Sequence, residues 1–245
     1  MNIKIFIFAS FFLIFLLENV HSQVVLDVNQ LKAWYPKYQT EVFMLLSARN
    51  IANISKDVFQ GLNKLEILTL FANQIQTLDS TTFNSLTSLK WLYMYGNRLV
   101  KLDPLLFKGL TKLERLDLHS CALSQSLDNS IFDDLISLKE LDLNYNQLTS
   151  LDARLFKNLR SLESLHLKNN RLTSLIDPNL FVNSNLLYHI DLSSNNIISL
   201  DRNIFVGLLD LEFIYIMNNP INSIQSSFVQ QLCSSNSKCH VYYLV

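Results

Sequence analysis

Apolar residues recur along this chain at a spacing that no single helix or strand explains. Counted from Leu65, positions 1, 4, 6, 9, 11, 14, 19 and 22 hold Leu65, Leu68, Leu70, Asn73, Ile75, Leu78, Phe83 and Leu86. Twenty-four residues on, the same places hold Leu89, Leu92, Met94, Asn97, Leu99, Leu102, Phe107 and Leu110. The frame returns from Leu138 and from Leu187, and the units that start at Leu113 and Leu162 carry one extra residue before Phe132 and Phe181. A degenerate first unit begins at Glu41 and an eighth at Leu211. Positions 4 and 6 alternate with mostly non-leucine neighbours, the two-residue period of a strand with one buried face. One such unit cannot hide its leucines, so units must stack and share a continuous core.

The remaining invariant places read as structural. The Asn at position 9 ends the strand, where its amide can bond backbone groups of neighbouring turns. Asn73, Asn97, Asn146, Asn170, Asn195 and Asn219 then form a ladder, each rung worth about 1–3 kcal/mol. Phe59, Phe83, Phe107, Phe132, Phe156, Phe181 and Phe205 predict an aromatic spine on the opposite side of the core. Cys121 and Arg49 replace the Asn in the fourth and first units, and Phe228 comes one residue early in the last.

The pattern L-x-x-L-x-L-x-x-N-x-L-x-x-L, legible in nearly every unit, resembles the typical extracellular leucine-rich repeat. The resemblance covers residues 41 to about 232. It implies a fold that is α/β by class, a solenoid of about eight repeats. A curved parallel sheet lines the concave face, with irregular turns or short helices on the convex face.

The segment before the repeats has a different pattern. Lys4 precedes an apolar run from Ile5 to Leu17 broken only by Ser10, and Val20-His21-Ser22 puts a small residue before Gln23. That three-part layout predicts a secretory signal peptide over 1–22. The run is short for a membrane span, which needs roughly 20 residues. Residues 23–40 follow as an N-terminal cap, in which Leu26, Leu31, Trp34 and Tyr35 are available to cover the first repeat. Repeats over 41–232, starting near 41, 65, 89, 113, 138, 162, 187 and 211, lead to a C-terminal cap over 233–245. Its tail from Val241 to Val245 is apolar enough to add a final strand.

Composition narrows the function classes. Hydrophobic residues make up 49% of the chain, with four Gly and four Pro, which favours one continuous core over linked domains or disorder. A formal net charge of −1 provides no field to draw the chain to nucleic acid. The expectation is therefore no nucleic-acid partner and no membrane insertion.

The outward positions 3, 5 and 7 of the strands carry whatever specificity the protein has. Adjacent strands sit about 4.8 Å apart, so eight give a face roughly 35–40 Å long. Its first three units present an aromatic cluster of Phe71, Trp91, Tyr93 and Tyr95. Aromatic side chains on a rigid exposed sheet are favoured binding anchors, and a contiguous apolar patch seldom stays bare. The other reading is that the N-terminal segment folds over the cluster as part of its cap. The middle units are polar, with Arg115, Asp117, His119, Asp142 and His166 among their residues, and the eighth returns to Phe213, Tyr215 and Met217. These nine residues from Phe71 to His166 are the expected binding surface. The row Asp117, Asp142, His166 and Asp191 at position 5 also suits a metal or an acid–base pair by spacing. Asp beside His on neighbouring strands is, however, an ordinary cross-strand contact, and no nucleophile elbow, phosphate loop or zinc-protease motif is present. No catalytic residue, metal or cofactor is therefore expected.

Cys233 and Cys239 lie close enough in sequence to bridge in an oxidising compartment, or else to pair with other chains. Zinc held by Cys233, Cys239 and His240 lacks a second ligand pair. Cys121 reads as a buried, inert thiol. Asn53-Ile54-Ser55 is a glycosylation sequon, expected on a turn. The chain thus reads as a secreted, extracellular, non-enzymatic module that binds a protein or glycoprotein ligand. By architecture it resembles the short secreted leucine-rich-repeat proteins of insect innate immunity. A structural or adhesive matrix role is the alternative, and the oligomeric state is open.

Overall fold

The computed structural model describes residues 23–175, 177–201, 203–221 and 238–243. The expected leader over 1–22, the early Phe228 and Cys233 lie outside these residues.

The chain enters through strand β1 (Val24–Leu26) and helix α1 (Val28–Trp34) and then winds into parallel turns. The short strands β2 (Phe43–Leu45), β4 (Ile67–Thr69), β5 (Trp91–Tyr93) and β6 (Arg115–Asp117) come from the first four units. Strands β8 (Glu140–Asp142), β10 (Ser164–His166), β12 (His189–Asp191) and β14 (Phe213–Tyr215) come from the next four. With β15 (His240–Tyr242) they form one nine-stranded sheet in chain order, every pair parallel. The apolar tail does add the last strand, though one residue earlier than Val241. Short parallel pairs β1 with β3 (Ile51–Ile54), β7 (Ser124–Gln125) with β9 (Gln147–Leu148), and β11 (Ser174–Leu175) with β13 (Ser199–Leu200) lie outside this sheet.

Register follows the repeat. Position 4 of each unit pairs with position 4 of the next, from Met44 opposite Leu68 through to Ile190 opposite Ile214, and these side chains are fully buried. A one-residue slip would turn this row to solvent, which is why so few residues per strand suffice to hold register. Among the described residues the convex side of the repeats is built of turns and not helices. Each Phe carbonyl accepts from the residue three on, as in Leu62 N–H to Phe59 O and Leu86 N–H to Phe83 O. Phe59 and Phe83 stack at 6.1 Å, Phe83 and Phe107 at 6.4 Å, and Phe181 and Phe205 at 6.0 Å.

The asparagine ladder closes the backbone accounting at the strand ends. Asn73 Oδ1 accepts from the N–H groups of Arg49 and Ile51, both at 3.0 Å, while Nδ2 donates to Leu46 O and Leu70 O. Asn146 does the same for Cys121, Leu123, Leu118 and Leu143. Just before each rung the chain turns through a left-handed residue, among them Ala72 (φ 54°), Gly96 (φ 66°) and Tyr145 (φ 54°).

The N-terminal segment seals the first turn. Asp27 caps α1 by accepting from Gln30 N–H at 2.8 Å, and Leu26 and Leu31 are fully buried. Trp34 and Tyr35 pack against the same core, with the Arg49 guanidinium 4.3 Å over the Trp34 ring. Asn53 is exposed but sits in β3, paired with β1, and not on the turn the sequon suggested. At the far end Cys239 is disulfide-bonded and half-buried.

Candidate functional site

The outward rows of the nine-stranded sheet meet solvent on the concave face, and their side chains form three blocks. The first is aromatic. Phe71 stacks on Tyr95 at 4.5 Å and 3°, and Tyr95 stacks on His119 at 4.4 Å and 11°. These residues occupy position 7 of successive units, so the strand spacing itself brings their rings face to face. The stack changes the role expected of Phe71: it is only 5% exposed, a floor beneath the patch and not a contact surface. Trp91, Tyr93 and Tyr95 remain half-exposed. Burial pushes the Tyr95 phenol up to about 12, helped by the charge of Asp117, and burial likewise raises that of Tyr93. Both are neutral donors over the physiological range. The polar contacts of the N-terminal segment on the sheet reach β2, where the Tyr35 hydroxyl meets the Leu45 backbone.

The second block is ionisable. Arg115 lies at the seam, 5.6 Å over the Tyr93 ring and 2.6 Å from Glu140 Oε1 on the next strand. Asp117, 7% exposed, accepts from His119 Nδ1 at 2.8 Å and from its backbone N–H at 3.2 Å. Burial alone would lower the His119 pKa, but the hydrogen bond and charge of Asp117, with the charge of Asp142, outweigh it and raise the value. Asp142 lies opposite Asp117 in register and accepts from Asn144 N–H at 2.9 Å. Burial raises its pKa, and the Asp117 charge adds to that, against the backbone N–H of Asn144 and the two histidines His166 and His119. The carboxylates of Asp117 and Asp142 and the His119 ring approach within 4.8 Å of one another. Since His119 already turns Nδ1 to Asp117, the arrangement is a hydrogen-bonded histidine–carboxylate pair beside a second carboxylate, and we assign no metal to it.

His166 belongs to a different cluster, one that the expected site left incomplete. Ser164 Oγ sits 2.9 Å from His166 Nε2 and 3.1 Å from His189 Nδ1, and the two rings are 4.8 Å apart. The His189 ring leads into the third block. It lies 5.4 Å from Tyr215, which stacks on Tyr242 at 4.6 Å and 8°, while Phe213 stacks on His240 at 6.3 Å. Ser164, His189, Phe213 and Tyr215 stand on the rows that the sequence turns outward but outside the nine expected binding residues, and His240 and Tyr242 were not expected on the face. Reading the position 3 and 5 rows through to the tail finds all of them, because β15 continues the same register.

Ser164 is buried, and its oxygen is shared between the His166 and His189 rings. Among the described residues no helix is long and apolar enough to cross a membrane.

The leucine-rich repeat model matches residues 44–99, 120–172 and 164–221, well over half of the sequence. The chain belongs to the leucine-rich repeat family. No curated protein matches it. Among solved structures, this leucine-rich repeat chain is similar to the receptor in the TLR13–ssRNA13 complex, with 26% identity and a TM-score of 0.74. It is similar in fold to a chain of the Drosophila Toll–Spatzle complex, with 24% identity and a TM-score of 0.63. The same holds for the leucine-rich repeat domain of APL1B, at 19% identity and a TM-score of 0.67. The matches cover 81%, 80% and 89% of this chain but 27%, 30% and 68% of those chains, so it spans less than a third of the first two.

Proposed function

We propose that this leucine-rich repeat chain is a secreted recognition protein of innate immunity that binds a protein partner on its concave face. The observation that carries the reading is the aromatic block of Trp91, Tyr93 and Tyr95, half-exposed on a rigid sheet beside the Arg115–Glu140 pair. Aromatic and Arg side chains held in place lose little entropy on binding, which is why they dominate interface energetics. The similar Toll chain is seen with the protein Spatzle, in keeping with a protein ligand. Secretion rests on the leader pattern over 1–22, and Asn53, exposed, is the proposed glycan site.

The TLR13 likeness supplies a second reading, since that receptor is seen with single-stranded RNA. The carboxylates of the central block, which repel phosphate at neutral pH, and a net charge of −1 favour protein over RNA. Affinity capture from the native extracellular fluid tests both. Wild type should retain a protein that the Trp91→Ala/Tyr93→Ala variant loses while staying folded. Equal capture by the two would remove the aromatic block as the site, and nuclease-sensitive capture would move the reading to RNA.

A further inference from the structure

The central block holds three histidines among fixed charges, and their placement has a consequence for what the face can hold. Positions 3, 5 and 7 of units four to seven present four carboxylates (Asp117, Glu140, Asp142 and Asp191), two permanent cations (Arg115 and Lys168) and His119, His166 and His189. Arg115 is already paired with Glu140 at 2.6 Å. That leaves three aspartates against Lys168, so the band is net negative while the imidazoles are neutral. With all three charged it is net positive.

We propose that acidification reverses the charge of this band, so that the concave face holds a cationic segment of its protein partner at neutral pH and releases it in acid. The proposal rests on the reading of this face as the binding surface and adds the partner's chemistry and a condition for its release.

Each histidine is placed to respond. His119 faces Asp117 two residues back, Tyr95 on the turn before and Asp142 on the strand after, with Arg115, Tyr93 and Glu140 clustered farther along the same strands. His166 shares its strand with Lys168 and lies in register between Asp142 and Asp191, with Glu140 on one side and His189 on the other. His189 has Asp191 and Tyr188 on its own strand, His166 and Ser164 before it, and Phe213 and Tyr215 after.

The Ser164 hydroxyl is the pivot of the response. While both rings are neutral, its proton serves one imidazole nitrogen and its lone pairs accept from the other, so one oxygen satisfies both His166 and His189. When both rings are charged, each can only donate, and two cations converge on one oxygen with ring centres 4.8 Å apart. A neighbouring carboxylate or a ligand anion relieves that strain, whereas a partner's Lys or Arg aggravates it. Burial and the charge of His166 lower the pKa of His189, which spreads the change over a wider range of acid pH. Imidazoles are the groups whose ordinary titration falls in this window.

Two labelled peptides, octalysine and octaglutamate, probe the band directly by fluorescence anisotropy at low ionic strength, where exposed charges are least screened. Between pH about 7.5 and about 5.0, wild type should lose octalysine affinity about tenfold and gain octaglutamate affinity. The His119→Gln/His166→Gln/His189→Gln variant, which leaves His240 in place, should keep its octalysine affinity within about twofold over the same range. His166→Gln alone should show an intermediate response, and serves if the triple variant melts early. An equal pH response in wild type and triple variant would overturn the proposal, because the change would then come from carboxylates or from another surface. So would a wild type that binds neither peptide differently at the two pH values. Neither result touches the Trp91→Ala/Tyr93→Ala capture, so failure of the switch and failure of the binding face remain distinct.

Discussion

The Tyr35 hydroxyl closes the open edge of the sheet at Leu45: it accepts from the Leu45 N–H at 2.8 Å and donates to the Leu45 carbonyl at 3.0 Å. An edge strand otherwise offers unpaired backbone groups to any other chain. One side chain here replaces both hydrogen bonds that a further strand would have made. Tyr35→Phe keeps the packing and removes both, so it should cost about 1–3 kcal/mol in chemical denaturation. Hydrogen exchange at the Leu45 amide should quicken before that of Leu68. Unchanged exchange at Leu45 would mean that water replaces the hydroxyl without loss.

Cys121 explains how a ladder survives a missing rung. Its thiol donates to Met94 O at 3.2 Å, the carbonyl that also receives the Asn97 amide, while Asn146 on the next turn serves the Cys121 and Leu123 N–H groups. Burial pushes the Cys121 thiol up to about 12, so it is neutral and unreactive at physiological pH. Asn146→Ala, which strands the Cys121 and Leu123 N–H donors and the Leu118 carbonyl, should destabilise by roughly 3 kcal/mol. Cys121→Asn should be neutral or add about 1 kcal/mol, since an amide oxygen is a stronger acceptor than the sulfur. Thermal melts of the two variants decide; a loss on Cys121→Asn would show that the site is shaped for sulfur.

The residues that could be read from sequence are those where one side-chain type does one job in every turn. Leu at position 4, Asn at position 9 and the spine Phe are repeated because burial and backbone satisfaction admit few alternatives. Position 8 escaped that logic. Ala48, Ala72, Gly96, Ser120, Tyr145, Asn169, Ser194 and Asn218 share no chemistry, yet all adopt positive φ. Backbone bonds on the residue impose the conformation, as in Ala72 N–H to Tyr95 O, and so no composition marks it. The binding face was legible as a set of rows but not as a surface. Alternation puts Phe71 outward, and only the stacking of Tyr95 on it shows why it is buried. The coupling of His166 to His189 through Ser164 depends on rotamers and register together, which spacing alone does not give.

The convex turns carry a smaller repeated device. Asp128 Oδ1 accepts from Ser130 Oγ at 2.6 Å and from Ser130 N–H at 2.9 Å, and Asp79 does the same with Thr81. The side-chain bond, then the backbone one, hold the Asp128 carboxyl below its ordinary value. A carboxylate with a lowered folded pKa contributes stability that is present above the unfolded value and lost as pH falls through the folded one. Ser130→Ala should therefore move the Asp128 titration, followed by NMR, back towards the ordinary carboxylate range and leave Asp152 in place. No movement would assign the shift to the backbone bond alone.

His119 and His189 should pull stability in opposite directions with pH. The folded pKa of His119 is raised by Asp117 and Asp142 against the effect of burial, so its contribution is complete below the ordinary histidine value and fades as pH rises through the folded one. That of His189 is lowered by burial and by His166, so its contribution is complete above the ordinary value and fades as pH falls. Both side chains are half-exposed, so solvent screens the effects, and the sign is the informative quantity. Denaturation midpoints between pH about 5.5 and about 8.0 expose it, a range that spans the imidazole titration and stays above that of most carboxylates. The loss on His119→Gln should be larger at the acid end, and the loss on His189→Gln larger at the alkaline end. If the two variants trend the same way, either Asp117 does not hold the His119 proton or burial beside His166 does not keep His189 neutral. Measuring Asp117→Asn and His166→Gln in the same series separates those two failures, because each removes one named cause and leaves the causes of the other histidine's shift in place.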